Sequence, residues 1–278
     1  LIEVGKFRVR PVRAGEYWWD GGAFFGVVPK TLWNPLVACD KQNRIAAAFN
    51  CYLIETPDAR VLIETGGGER HDERARERMR LPAGSAAMPV DPASIDIVIN
   101  SHLHWDHCSG NTVDSRGGPA PAFPNATYFA QRGEWEHAKE RLARDRMSYH
   151  DVNYDPLLAS GRMTLLDGDA EIVPGVEMRV TPGHNRDMCI VLARSEGQTF
   201  CFWSDLIPLA GNLHPTWVAA FDLYPLTTIE NKTRLLEQAA AEGWWCGFGH
   251  DPRIAFAHIA KDSKGRFFIS EQIGEQIG

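Results

Sequence analysis

Short apolar runs punctuated by turn residues dominate the first third of the chain. Ile2–Val12 alternates apolar and polar, Asn50–Glu55 and Arg60–Glu64 carry compact apolar cores, and Thr56-Pro57-Asp58-Ala59 between the last two is a turn signal. These predict strands, the latter two joined as a hairpin that ends at the glycines Gly66-Gly67-Gly68. Ser94–Ser101 reads as another strand, with Ile95, Ile97, Val98 and Ile99 apolar. Residues 109–127, rich in Gly, Pro, Ser and Asn, predict a loop, and Gln131–Met147 is helical in composition. Strand-like runs return over 161–181, including Val176–Thr181. Cys189–Ala193 and Thr199–Trp203 form a hairpin pattern around Ser195-Glu196-Gly197. Thr228–Gly243 has helical spacing, and Trp244–Phe248 predicts a short strand ending at Gly249-His250-Asp251. Strands precede mixed helix and strand, twice over. This order suggests an α+β chain built as a four-layer αββα sandwich, with residues 1–278 as a single domain. Composition by itself supports only a mixture of α and β.

The bulk numbers narrow the class. The 278 residues are 44% hydrophobic and 23% charged, which is ordinary for a globular chain able to bury a sizeable core. The formal charge of −7 argues against nucleic acid as a partner, because phosphate contacts need clustered Lys and Arg. The basic stretch from Arg70 to Arg80 is interleaved with Glu73 and Glu77 and reads as a solvated helix face. Six scattered cysteines without a C-x-x-C pair read as reduced thiols, and Cys108 as a small packing residue. No apolar run reaches 18 residues, so no membrane span is expected, and Leu1–Arg10 does not resemble a signal peptide. The expected location is cytoplasmic, with export left open if a leader has been removed.

The chemistry concentrates in His102-Leu103-His104-Trp105-Asp106-His107, directly after an apolar strand. A strand breaking into a loop there would splay three imidazoles and a carboxylate around one point. Neutral imidazole suits zinc and its neighbours, and a carboxylate suits a harder position. Three further residues stand at strand ends: His184 after Thr181-Pro182-Gly183, Asp205 after Phe202-Trp203-Ser204, and His250 after Phe248-Gly249. A lone residue of this kind is more often structural; three in this order after the cluster strengthen the metal reading.

This set, His-x-His-x-Asp-His followed by His, Asp and His, resembles the metallo-β-lactamase superfamily over essentially the whole chain. The resemblance implies an αββα sandwich with metals at the edge between the sheets. It assigns His102, His104 and His184 to a first divalent ion, Asp106, His107 and His250 to a second, and Asp205 as a bridge. Zinc is the expected metal, with iron, manganese or cobalt as alternatives. The segments Gly21–Lys30, Ser204–Pro208 and Asp222–Pro225 look like the branch containing quorum-quenching lactonases and methyl parathion hydrolase-like enzymes. Two departures stand out. Glu64 occupies the place where the superfamily usually has Asp, which implies an adjusted set of contacts behind the ligands. Pro208 stands where some acyl-homoserine lactonases carry a carbonyl-polarising tyrosine, unless Tyr224 substitutes.

Two metals a few ångströms apart can share one water and lower its pKa toward neutrality. The bridging hydroxide then needs no protein nucleophile, and no Gly-x-Ser-x-Gly motif competes. Asp106 is the candidate proton shuttle. Phe24, Phe25, Trp33, Trp105, Trp217 and Tyr224 are candidates for the substrate wall, each with a second reading as core packing. His214 reads as a loop histidine rather than an eighth ligand. The function expected is a metallo-hydrolase of the lactonase or carboxylic-ester class acting on a small molecule, with a homodimer as one assembly the reading allows. A phosphotriesterase or arylesterase on the same site is the alternative. An iron-dependent oxygenase or redox protein is a further one, disfavoured because redox members of the fold place Glu where His104 stands.

Overall fold

The computed structural model describes residues 1–81 and 88–274. Strands β1 (Ile2–Val4), β2 (Phe7–Asp20), β3 (Arg44–Glu55), β4 (Arg60–Ile63) and β5 (Ile97–Ile99) begin the first sheet. A two-stranded ribbon, β6 (Thr112–Ser115) and β7 (Gly118–Pro121), intervenes before β8 (Thr127–Gln131) and β9 (Met163–Leu166) complete that sheet in the order β1-β2-β3-β4-β5-β8-β9. The second sheet runs in sequence order: β10 (Ala170–Val173), β11 (Val176–Val180), β12 (Cys189–Ser195), β13 (Gln198–Phe202), β14 (Trp245–Gly247), β15 (Ile254–Lys261) and β16 (Phe267–Gly274). The helices are α1 (Gly21–Phe25), α2 (Lys30–Trp33), α3 (Glu73–Met79), α4 (Trp105–Cys108), α5 (Arg132–Glu140), α6 (Asp155–Ala159) and α7 (Pro225–Glu242).

The period-2 alternation of strand side chains explains the layers. On β3 and β4, Tyr52, Ile54, Val61 and Ile63 point toward the second sheet and meet Val191, Phe200, Phe202 and Phe256. The alternate residues Cys51, Leu53 and Leu62 pack outward with Ala138, Tyr154 and Leu157 of the α5 and α6 region. On β12, Cys189, Val191 and Ala193 face the first sheet, whereas Ile190 and Leu192 pack against Leu235, Leu236 and Ala239 of α7. Both faces of the central strands are therefore covered, which is why these strands read as near-continuous apolar runs. The result is the expected αββα sandwich.

Several boundaries differ from the sequence expectation. Ile2–Val12 is two strands, because Gly5 takes a positive φ of 57° and turns the chain between β1 and β2. The segment 109–127 is not all loop: Arg116-Gly117 turns the chain between β6 and β7, where Ser115 pairs with Gly118. The helix over Gln131–Met147 stops at Glu140, where Arg141 adopts a left-handed conformation (φ 53°), and the remainder becomes a loop with one short 3-10 turn. The N-terminal loop carrying Phe24, Phe25 and Trp33 is two short helices, α1 and α2.

Candidate metal centre

Each candidate ligand sits just beyond the end of a strand on one rim of the sandwich. His102, His104 and His107 follow β5, with α4 opening at Trp105 and holding Asp106 and His107 in a single turn. His184 follows β11, Asp205 follows β13 in a 3-10 turn, and His250 follows β14. Backbone hydrogen bonds lock the rim across the two sheets. Cys189 N donates to Ser101 O at 2.9 Å, Ala48 N to His250 O at 3.0 Å and Asn50 N to Gly249 O at 2.9 Å. Gly183 is required before His184: its φ is 154°, and a Cβ there would lie 2.4 Å from Thr228 Oγ1.

All seven residues converge, and Asp205 sits between two groups. Its Oδ2 lies 3.3 Å from His184 Nε2 and 3.9 Å from His102 Nε2, while its Oδ1 lies 3.1 Å from His250 Nε2 and 3.3 Å from His107 Nε2. His104 Nδ1 is 3.0 Å from His184 Nε2, and His107 Nε2 is 3.2 Å from His250 Nε2. Asp106 Oδ2 is 3.7 Å from His250 Nε2. The candidate ligand atoms of His102, His104, His184 and Asp205 lie within 4.8 Å of one another, as do those of Asp106, His107 and His250.

The outward-facing nitrogens are held by the protein. His102 Nδ1 contacts Ser101 Oγ at 3.0 Å, and His184 Nδ1 contacts Asp222 Oδ1 at 3.0 Å, with Asp222 Oδ2 accepting from Thr228 Oγ1 at 2.6 Å. His250 Nδ1 lies 3.0 Å from Ala48 O and 3.1 Å from Tyr17 Oη. Glu64 Oε1 accepts from Ser101 N at 3.1 Å and stands 3.4 Å from His107 Nδ1. Glu64 thus reaches the cluster from behind, held in a left-handed backbone conformation (φ 61°). Partners of this kind fix tautomer and ring orientation, leaving the inward nitrogens as lone-pair donors.

The donor set fits a cation pair. His102 Nε2 and Asp205 Oδ1 are buried and lack a hydrogen-bond partner among the described residues, and buried polar atoms of native proteins rarely go unsatisfied. Burial, with help from neighbouring imidazoles, holds the pKa values of His102 and His104 well below the usual range. His184 goes the other way: burial alone would lower it, but the Asp205 and Asp222 carboxylates push it up to about 8. His107, His250 and His184 hold Asp205 ionised against the opposing effect of burial.

A cavity of about 330 Å³ opens onto this cluster, lined by Tyr17, Trp19, Phe24, Trp105 and Phe221 on its apolar side and by Arg144, Asp145 and Ser148 on its polar side. His104, Asp106, His184, Asp205 and His250 also line it. Of the six substrate-wall candidates, Phe24 and Trp105 are there. Phe25 and Trp33 are not: they stack on each other at 5.0 Å in the core behind α1 and are essentially inaccessible. Phe24 and Phe25 are neighbours on a helix, so one turns to the cavity and the other away. Trp217 packs edge-on against Phe25 and lines a different hollow with His214. Tyr224 is exposed at the start of α7 and does not line the cavity, so it does not take the place of the tyrosine absent at Pro208. Tyr17 on β2 does line it, and sequence reasoning passed over it because nothing local distinguishes it from other strand aromatics.

Comparison with known proteins agrees with this geometry. A family model described as the Metallo-beta-lactamase superfamily matches residues 48–250. An N-acyl homoserine lactonase of Bacillus thuringiensis is 27% identical over 230 residues, covering 72% of this chain and 80% of the relative. A second, from Bacillus cereus, is 29% identical over 151 residues, so this chain spans about half of it, 54%. Among solved structures, a probable metal-dependent hydrolase from Staphylococcus aureus superposes over 100% of both chains with a TM-score of 0.91 and 27% identity. AidC, a dizinc quorum-quenching lactonase in complex with the product N-hexnoyl-L-homoserine, shares the fold at a TM-score of 0.75 and 20% identity, over 100% of this chain and 97% of its own.

Proposed function

This chain belongs to the metallo-β-lactamase superfamily, and from that premise we propose that it is a dinuclear metal-dependent hydrolase that opens lactones or related carboxylic esters. The observation that carries the reading is the division of Asp205, one oxygen toward His102 and His184 and the other toward His107 and His250. In this reading His102, His104 and His184 hold one divalent ion, Asp106, His107 and His250 a second, and Asp205 both, with zinc as the metal. When bound, such a pair supplies Lewis acidity and a water acidified toward neutral pH.

The protein's own side chains do the rest. Asp106 belongs to the ligand cluster and also lines the open cavity, which supports a role for its carboxylate in taking the proton of the attacking water and handing it to the departing oxygen. Tyr17, Trp19, Phe24, Trp105 and Phe221 offer an apolar wall for an acyl or aryl group, and the cavity volume suits a small molecule. The lactonase relatives support a lactone as first substrate. Aryl esters and phosphotriesters would use the same machinery and differ only in fit.

A panel of lactones, aryl esters and phosphotriesters tests this, assayed before and after chelation and again after zinc is restored. Lactones should give the highest kcat/KM, chelation should abolish turnover, and zinc should return it. Hydrolysis of none of them, or hydrolysis indifferent to chelation, would overturn the proposal. A further outcome follows from Asp222, which braces His184 without facing the cluster. Asp222→Ala should weaken metal retention by about 10- to 100-fold in a competition titration against a chelator.

A further inference from the structure

Glu64 is not the only carboxylate behind the ligand cluster. Glu134, near the start of α5, is fully buried. Its Oε1 accepts from three donors: Tyr149 Oη at 2.9 Å, Leu103 N at 3.1 Å and Asn185 Nδ2 at 3.1 Å. Oε2 is buried and has no hydrogen-bond partner among the described residues. Each donor bears on a residue assigned to the first ion. Leu103 stands between His102 and His104. Asn185 follows His184, and its carbonyl accepts from Gly183 N at 2.9 Å, closing the turn in which His184 sits. The Tyr149 ring meets the His104 ring at 4.7 Å between centroids, with 63° between their planes. The residues assigned to the second ion have other supports, Glu64 beside His107 and Tyr17 beside His250.

We propose that Glu134 is a positioning residue for the first ion: by gathering Leu103, Asn185 and Tyr149 on one oxygen, it sets His104 and His184 at the spacing a single cation requires. The inference rests on the dinuclear reading above and gives one half of that site its own support from α5. The two imidazoles come from separate loops, one after β5 and one after β11, and Glu134 is bonded to both. His104 Nδ1 and His184 Nε2 approach to 3.0 Å, so a small shift of either loop changes the cradle they form. The charge on the carboxylate strengthens each of its three hydrogen bonds, and those bonds offset the cost of burying it.

Cadmium-113 NMR of the cadmium-loaded protein tests this. An ion held by His102, His104 and His184 and one held by Asp106, His107 and His250 should give separate resonances, the nitrogen-rich one at higher frequency. Glu134→Ala should shift or broaden the nitrogen-rich resonance well beyond any change in the other, and should weaken one of the two binding constants by about 10- to 100-fold in a chelator competition. Glu134→Gln, which keeps an oxygen acceptor at the same reach, should recover most of that loss. Tyr149→Phe removes one of the three donors but keeps the ring against His104. It should move the same resonance by less, and it serves if the alanine variant does not fold. Equal changes in both resonances overturn the proposal, since they mark a general role in folding. An unchanged spectrum, a change confined to the other resonance, or a glutamine variant no better than the alanine one also overturns it. Fewer than two cadmium ions bound by the wild type would instead sink the dinuclear reading, and this inference with it.

Discussion

Replacing Asp205 with alanine is expected to lower kcat/KM by more than about 10³-fold, together with loss of at least one bound metal per chain. Removing a residue that merely braces a ligand already costs about 10- to 100-fold, and Asp205 stands among the imidazoles themselves. Its two oxygens approach four histidines at 3.1–3.9 Å. On the dinuclear reading, two cations would then lose the carboxylate that offsets their mutual repulsion, at a site largely buried from solvent. Asp205→Asn keeps the volume and one good oxygen donor but removes the charge, so its loss should be intermediate. Elemental analysis of the purified variants, beside steady-state kinetics, checks both halves. Two retained metals and activity within about tenfold of wild type in the alanine variant would show that Asp205 is not the bridge.

The seven clustered residues were legible because of where they stand in the chain. A buried strand must stop somewhere, and polar residues packed immediately after an apolar run, as at His102–His107, cannot all be facing solvent. His184, Asp205 and His250 gave the same signal more weakly, each one or a few residues past a strand that the apolar pattern had already located. The cavity wall was not legible in this way. Tyr17 and Trp19 of β2 meet Phe221, some two hundred residues on, only through tertiary packing, and nothing local separates these three from Phe25 and Trp33, whose composition and setting look equally suited to a substrate wall. Asp145 was hidden by composition of another kind. The run after Glu140 keeps helix-forming residues, but Arg141 turns left-handed and the chain leaves the helix, so a residue inside the expected helix lines the cavity from a loop instead. The strands β15 and β16 lie beyond the last candidate ligand, and only the first of them, Ile254–Lys261, carries a compact apolar run.

Tyr52→Ala should give the largest loss of stability, about 3–5 kcal/mol, because this ring joins the two sheets. Tyr52 is fully buried on β3 of the first sheet, with its centroid 5.1 Å from Phe200, 5.5 Å from Phe202 and 5.6 Å from Phe256, all in the second sheet. Its hydroxyl donates to Ala255 O at 2.7 Å, so the polar tip is satisfied inside the core. Gly247 on β14 makes the room: a Cβ there would lie 2.6 Å from Tyr52 Cζ. The ring thus occupies space that any side chain at 247 would need, three residues before His250. Tyr52→Phe keeps the packing and loses only the hydrogen bond, and should cost about 1 kcal/mol. For a chain of this size the alanine variant should melt roughly 5–10 °C lower. Denaturant titration of the three proteins separates the contributions. A phenylalanine variant as unstable as the alanine one would place the weight on the hydroxyl, and an alanine variant near wild type would show that the aromatic cluster is not what clamps the sheets. Because the rim carrying the ligands is formed by both sheets, a clamp of this kind is also what keeps His102 and His250 on the same centre when the protein is stressed, and metal retention by the alanine variant should fall before its secondary structure does.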